Sequence, residues 1–357
     1  MSLLKIKIEK YLIKHLSSNI RVPVSWTEMS ITGGIGKEGD LVLTQVSMLG
    51  ARREMESYHN DNLTDQVLCM GDFIIGVLGN RHSSTSEYGD VPARGINCRK
   101  GASIDLLSSG GVVGICKEAP KVLGSIPTQL NMIGLICKQG KVLNLKVLCS
   151  KWDKKLEPTA PIFLSCGTAA EIGKTTAAKS IIKECFALGL SRIAATKLTG
   201  TGRRRDISTF ESVNAFPVYD FPDVGLATTY TSSKQFIPAI YTLINKINRE
   251  GSPSVIIGEC GGDIIEGNIP TLLQDQAIIK NLVGIIHSSS DVLGIIGSLK
   301  FYESWGILGR VPVFLAYPYQ RNFYAISSRL RSLGIHLPII DPMNSTEVRL
   351  MIKSLLL

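Results

Sequence analysis

The chain has 357 residues, 44% of them hydrophobic and 19% charged, with 34 glycines and an aromatic fraction of 6%. That balance excludes a globally disordered chain, and the length is too great for one ordinary core, so about two domains are expected. The formal charge of +9 is spread evenly, with 17 Lys+Arg against 13 Asp+Glu over residues 1–150 and 22 against 17 over 151–357. An even excess suits anionic ligands such as nucleotides; with few aromatic platforms for stacking, nucleic acid is not an expected partner. Cysteines at 69, 98, 116, 137, 149, 166, 185 and 260 show no CxxC spacing, which predicts buried free thiols and a reducing, cytoplasmic compartment. No uninterrupted apolar run approaches the ~20 residues needed to cross a bilayer.

In chain order, MSLLKIKIEKYLIKHL places apolar residues at helical spacing among lysines, and residues 1–19 are predicted as an N-terminal helix. Residues 20–150 change character. Short apolar stretches such as DLVLTQVSML, DFIIGVLG, GVVGICK and MIGLICK are separated by glycine-rich punctuation, the pattern of a β-rich domain of short strands, with Ile104 to Leu107 the one place where a helix could form. Residues 151–160, polar and bounded by proline, read as a linker. From 161 to 357 the rhythm becomes strand, glycine loop, helix: IFLSC, SRIAATK, SVIIGE, LVGIIHS and VPVFLAY are strands, with helices at 174–188, 234–249, 324–333 and 345–356 and another starting near Ser290. Such alternation predicts an α/β fold with a mainly parallel sheet, whose ligands sit beyond the carboxyl ends of the strands.

The strongest feature is FLSCGTAAEIGKTTAAK. A strand runs into the loop Gly167, Thr168, Ala169, Ala170, Glu171, Ile172, Gly173, Lys174, Thr175, and a helix begins at the GKT. Glycines 167 and 173 permit a tight wrap whose backbone N–H groups face inward, where the helix N-terminus adds partial positive charge. Lys174 can reach the β and γ phosphates of a nucleotide, Thr175 carries the hydroxyl expected on Mg²⁺, and Thr176 is placed for the α-phosphate. Glu259, ending a buried strand, can bind the metal, and Asp206 and Asp263 are further carboxylate candidates. Lys197 closes another strand on the same edge, where an ammonium can neutralise a transferring phosphoryl group or grip an acceptor carboxylate. Arg203, Arg204 and Arg205 form a guanidinium run suited to carboxylate or phosphate, with a solvated loop or an RNA contact as the rival reading. No NKxD guanine signature is present, which favours ATP over GTP.

The loop GTAAEIGKT, the strand end Ala-Thr-Lys197 and the run Gly258-Glu259-Cys260-Gly261-Gly262 together resemble dethiobiotin synthetase, and more broadly the ATP-dependent synthetase and amidoligase branch of P-loop NTPases. The resemblance covers residues 161 to roughly 300. It implies a P-loop NTPase domain using ATP and Mg²⁺, with Lys174, Lys197 and Glu259 in catalysis and Thr175 and Glu259 at the metal; the run LTGTGRRRD after Lys197 is unlike the synthetase, so Arg203 and Arg204 in catalysis and Asp206 at the metal are expected from their own chemistry. It also implies a homodimer. Ala169 and Ala170 replace the aspartate and threonine of the synthetase loop, so the expected substrate is a different small anionic metabolite, activated at a carboxylate by phosphoryl transfer and then ligated, with a kinase that stops after transfer as the simpler outcome. The β-rich domain lies outside the resemblance and motivates the alternative, a nucleotide-dependent switch or assembly factor acting on a protein partner.

Three further segments are expected to carry function. DFPDVGLATTYTSS (220–233) reads as a substrate-binding or lid segment, with Asp223, Thr228, Thr229 and Tyr230 as polar contacts. HSSSD (287–291) and AYPYQRN (316–322) are strand-exit loops suited to base recognition. The polar loop 79–90 is expected to tune acceptor specificity, or else to be a solvated hairpin; His82, Cys98 and Glu87 offer a metal-site reading without any recognised ligand spacing.

Overall fold

A computed structural model describes residues 6–50, 52–59, 62–121, 124, 126–149, 151–316 and 322–357. The chain divides into two compact units. One comprises Met1–Trp152, Gly200–Arg205 and Phe221–Thr231, the other Asp153–Thr199, Asp206–Asp220 and Ser232–Leu357.

The first unit is β-rich. Its strands are β1 (Lys7–Ile8), β2 (Tyr11–Leu12), β3 (His15–Leu16), β4 (Met29–Thr32), β5 (Ile35–Gly36), β6 (Leu41–Met48), β7 (Glu54–His59), β8 (Asn62–Val67), β9 (Phe73–Leu78), β10 (Arg81–His82), β11 (Tyr88–Asp90), β12 (Ile96–Asn97), β13 (Ser103–Leu106), β14 (Val112–Glu118), β15 (Thr128–Lys138) and β16 (Lys141–Val142), followed by the short helix α1 (Leu145–Leu148). Five of them close on themselves. β6 pairs β9, β9 pairs β14 in parallel, β14 pairs β13, β13 pairs β15, and β15 returns to β6. Closure removes the free edges that an open sheet would expose. Alternation along β6 sends Val42 and Val46 into one core with Leu78, Leu106 and Met132, and Leu41 and Leu43 into another with Ile8, Ile13 and Ile20.

That second core explains a departure from the sequence expectation. In place of a helix over residues 1–19, residues 7–16 form β1, β2 and β3, while residues 1–5 lie outside the described set. Buried positions 13, 15 and 17 alternate at a spacing of two, and β3 adds in parallel to β9 with His15 opposite Ile74. A docking edge and an apolar face to cover outweigh a modest helical pattern, since local propensity yields to tertiary context. Likewise Ile104 to Leu106 belongs to β13, because its amides complete ladders with both β14 and β15.

The second unit is α/β. Its elements are β17 (Ile162–Gly167), α2 (Lys174–Ala187), β18 (Ile193–Thr199), α3 (Arg204–Glu211), β19 (Val218–Asp220), α4 (Ser233–Gly251), β20 (Val255–Cys260), α5 (Ile269–Gln274), α6 (Gln276–Ile279), β21 (Leu282–Ser288), α7 (Val292–Ser304), β22 (Val313–Ala316), α8 (Phe323–Ser332), β23 (Ile339–Ile340) and α9 (Ser345–Leu356). The seven strands order as β19-β18-β20-β17-β21-β22-β23 and every pairing is parallel. β17, β18 and β20 are buried along their whole length, as expected of a parallel sheet covered on both faces. On α2 the residues Ala177, Ala178, Ile181, Ile182 and Cys185 form the buried stripe that packs on this sheet. The polar stretch 153–160 lies along α4, where Thr242, Asn245 and Asn248, at helical spacing, accept the backbone N–H groups of Asp153, Glu157 and Ala160 at 2.7, 2.9 and 3.0 Å.

The contiguous range 161–357 expected from sequence is interrupted by the two excursions that cluster with the first unit. They pin one another: Gly200 N–H donates to Thr229 Oγ1 at 2.8 Å, and Gly202 N–H to the Ala227 carbonyl at 2.9 Å. In consequence most of residues 220–229 are core, with Phe221, Val224, Leu226, Ala227, Thr228 and Thr229 all buried, and exposure returns only at Ser232 and Ser233. Its threonines look polar in sequence, yet Thr229 is consumed by the backbone of the neighbouring excursion. Cys98, Cys137, Cys166, Cys185 and Cys260 are buried free thiols, and among the described residues no helix is long and apolar enough to cross a membrane.

Candidate functional site

The loop that joins β17 to α2 is shaped by its glycines. A Cβ on Gly167 would lie 2.6 Å from Ile172 Cδ1 and 2.8 Å from the Ser288 carbonyl oxygen, and Gly173 has φ +100°, a conformation costly for any residue with a side chain. Both ends of the loop are tied to the sheet. Ser165 Oγ donates to the Lys174 carbonyl at 2.8 Å, and Thr168 N–H to the Ser288 carbonyl at 3.0 Å. No side chain caps α2 and no acidic residue occupies its first turn, so the turn presents N–H groups and a positive dipole end to an anion. Lys174, only 5% exposed, folds back so that its ammonium donates to the Ala169 carbonyl inside the loop. Burial lowers its pKa, against the pull of Glu259.

β20 lies directly between β17 and β18, and its register sets Glu259 beside Ser165 on one side and Lys197 on the other. Glu259 is 7% exposed and is hydrogen-bonded to Thr175. Burial raises its pKa; Lys197, Thr175 and Lys174 pull it down and Asp206 pushes it further up. Lys197 forms an ion pair with Asp206. The second unit thus brings together Lys174, Thr175, Lys197, Asp206 and Glu259. Hard oxygens on Thr175, Glu259 and Asp206 suit Mg²⁺, which keeps several waters and takes phosphate oxygens for the rest of its shell. Among the described residues no cluster of three His, Cys, Asp or Glu side chains competes as a metal site.

Gly261 is a constraint that the sequence pattern only hinted at. A Cβ there would meet the Thr199 carbonyl oxygen at 2.5 Å and Lys197 Cε at 2.8 Å. Gly261→Ala is therefore expected to cost roughly 1–3 kcal/mol and to displace the Lys197 ammonium; denaturant melts paired with nucleotide turnover check it, and unchanged values in both would show that the β20 exit relaxes freely.

Other expectations fall differently. Arg203, Arg204 and Arg205 are described with the first unit, where the backbone N–H groups of Arg204 and Arg205 donate to Glu56 at 2.8 and 3.2 Å and the Arg205 side chain pairs with Asp65 at 3.5 Å. Asp263 accepts Ile265 N–H at 3.0 Å and shapes its own turn. His287 is fully buried with Nδ1 2.8 Å from the Tyr302 hydroxyl, and burial pushes its pKa down to about 3, so it is a neutral core histidine and not a base contact. Asp291 caps α7 through Gly294 N–H at 2.8 Å, and residues 317–321 of the second strand-exit loop lie outside the described set. The His82, Cys98, Glu87 grouping is dispersed: His82 pairs with Asp90, Cys98 with the Ile96 carbonyl, and Glu87 with Arg52. Sequence reasoning missed Ser165, whose hydroxyl anchors the loop and whose signal was a serine inside a buried strand, and the Ser288 carbonyl, a backbone group that carries no signal in the residue type.

No family model matches the chain, and no curated protein matches it. Solved structures similar to it include cell division protein ftsY from Thermotoga maritima (17% identity, 58% of this chain and 73% of that one, TM-score 0.33). Chloroplast FtsY from Physcomitrella patens (13%, 57% and 69%, TM-score 0.34) and signal recognition particle receptor FtsY from Elizabethkingia anophelis (12%, 59% and 74%, TM-score 0.34) are similar to the same degree. Likeness at this level decides neither the synthetase branch nor a choice between ATP and GTP.

Proposed function

We propose that the second unit binds a magnesium nucleoside triphosphate and cleaves its γ-phosphoryl bond, and that the protein works as a nucleotide-dependent switch or assembly factor. Loop amides of residues 167–173 and the Lys174 ammonium would hold the β and γ phosphates, Thr176 the α-phosphate, and Thr175, Glu259 and Asp206 the Mg²⁺. The missing guanine signature keeps ATP as the expected nucleotide. Bound magnesium supplies charge neutralisation on the phosphate oxygens.

The observation that carries the switch reading is the ion pair between Lys197 and Asp206. These two residues flank the excursion Gly200–Arg205, which belongs to the other unit. Charge that Asp206 gives to a bound metal weakens its hold on Lys197. Released from Asp206, Lys197 is left to neutralise the γ-phosphoryl group, so the ends of the excursion have one arrangement with nucleotide and another without it. Amide exchange of Arg204 and Arg205, whose N–H groups are bonded to Glu56, is expected to change with Mg-ATP and to revert with Mg-ADP; identical exchange in both states would rule the switch out.

Lys197 also sustains a second reading, the activation of a small anionic metabolite at its carboxylate, in keeping with the resemblance to dethiobiotin synthetase, which also suggests a homodimer. Under that reading ADP release from ATP and magnesium depends on one acid in a pool of cellular carboxylic acids. Steady turnover indifferent to every acid selects the switch.

A further inference from the structure

The first unit contains a cluster of guanidinium groups that the nucleotide chemistry does not use. Arg52, shortly before β7, donates from Nε and Nη2 to the two oxygens of Glu87 at 3.0 and 2.7 Å. Arg81, at the start of β10, reaches the same carboxylate at 3.3 Å and also donates to the Leu107 carbonyl. Ser86 Oγ is a further donor to Glu87. The carboxylate, fully buried, is thus shared by two cations and a hydroxyl. Burial pushes the Glu87 carboxyl up, yet the Arg52 and Ser86 hydrogen bonds and the two nearby cations outweigh it and keep the group ionised.

A third guanidinium lies close by. Arg203 stands 3.5 Å from Glu56 through Nε, and that nitrogen is buried and makes no hydrogen bond. Glu56 cannot satisfy it well, because its oxygens already accept Ser18 Oγ at 2.7 Å and the N–H groups of Arg204 and Arg205. Arg203 and Arg52 both act electrostatically on Arg81, whose pKa burial and these neighbours depress to about 10, while the Tyr230 phenol and Glu87 oppose the fall. Three cations therefore face two carboxylates: Arg52 and Arg81 share Glu87, while Glu56 is taken up by Ser18 and two backbone amides, which leaves the charge on Arg203 in excess. Arg52, Arg81 and Arg203 retain 17%, 12% and 30% of their side-chain exposure, so the excess charge is reachable from solvent.

An excess of buried positive charge is costly unless an anion completes it, and planar guanidinium forks select carboxylate and phosphate oxygens. We propose that Arg52, Arg81 and Arg203 form a binding site in the first unit for a small carboxylate or phosphate anion, with Arg203 Nε as its unfilled donor. The site is independent of the nucleotide reading.

Calorimetric titration of the full chain with succinate, and separately with inorganic phosphate, tests it in a Lys174→Ala background that takes the phosphate loop out of the measurement. Saturable binding of succinate alone assigns a carboxylate ligand, of phosphate alone a phosphate ligand, and of both a general oxyanion site. Arg203→Gln, which removes only a long ion pair and so keeps the fold, is expected to weaken that binding ~10–100-fold, the range for a hydrogen bond to a charged group; Arg81→Gln should do the same where it folds. Absence of binding by either anion, or affinity unchanged in Arg203→Gln, would overturn the proposal.

Discussion

Lys174→Ala is expected to lower nucleotide turnover by at least ~10²-fold, the scale for loss of one preorganised charge-stabilising donor, while leaving the fold in place. The side chain leaves from the first residue of α2 and its ammonium is held by the Ala169 carbonyl, inside the loop that would surround the phosphates. The Ala169 carbonyl and the field of Glu259 compensate this buried cation without outweighing its desolvation, which is an expensive arrangement for a residue with a merely structural task. The alanine variant removes that cost, so its melting temperature without nucleotide should hold or rise. The same variant should lose the stabilisation that nucleotide confers on the native chain. Turnover and thermal melts with and without Mg-ATP read both effects; retained turnover would remove the loop from the chemistry.

Glu259→Gln addresses the metal. A proton and Mg²⁺ compete for this carboxylate, and burial raises its pKa, so magnesium-dependent binding should weaken as pH falls through the raised value. Linkage gives the same sign for stability. A carboxyl whose folded pKa is raised contributes stability below its unfolded value near 4.5, and loses that contribution as pH rises through the folded value. Bound magnesium opposes the loss, so the gain in melting temperature on adding Mg-ATP should grow with pH across that window. In Glu259→Gln the gain should be small and flat with pH, with apparent magnesium affinity reduced on the order of 10²-fold. A magnesium titration identical to that of the native chain would place the metal elsewhere.

Much of the second unit was legible in the sequence because its signals are local. β17 is a continuous apolar run, α2 repeats its buried residues at helical spacing, and the glycines of the loop are spaced for a turn. Helix α9 occupies residues 345–356, the range read from its pattern. Lys197 and Glu259 were legible as strand-end residues, since a parallel sheet sends every strand's carboxyl end to one edge. The first unit was legible only as β-rich. Its closed ring depends on β9 meeting β14 and β15 returning to β6, pairings between distant segments that no local period encodes. The stretch 220–233 looked like a polar loop because threonine hydroxyls satisfied by a neighbouring backbone cannot be told from solvated ones until that neighbour is known.

By itself the sequence determined a glycine-bounded loop on a strand-to-helix junction and the alternation that builds a sheet around it, since glycine torsions and hydrophobic period are properties of adjacent residues. Only the tertiary structure decided that Lys197 pairs with Asp206, that Glu87 is shared between Arg52 and Arg81, and that Glu56 takes the amides of Arg204 and Arg205 across a separation of nearly 150 residues. Charges interact through space, and the partner that neutralises each one is set by which strands lie side by side.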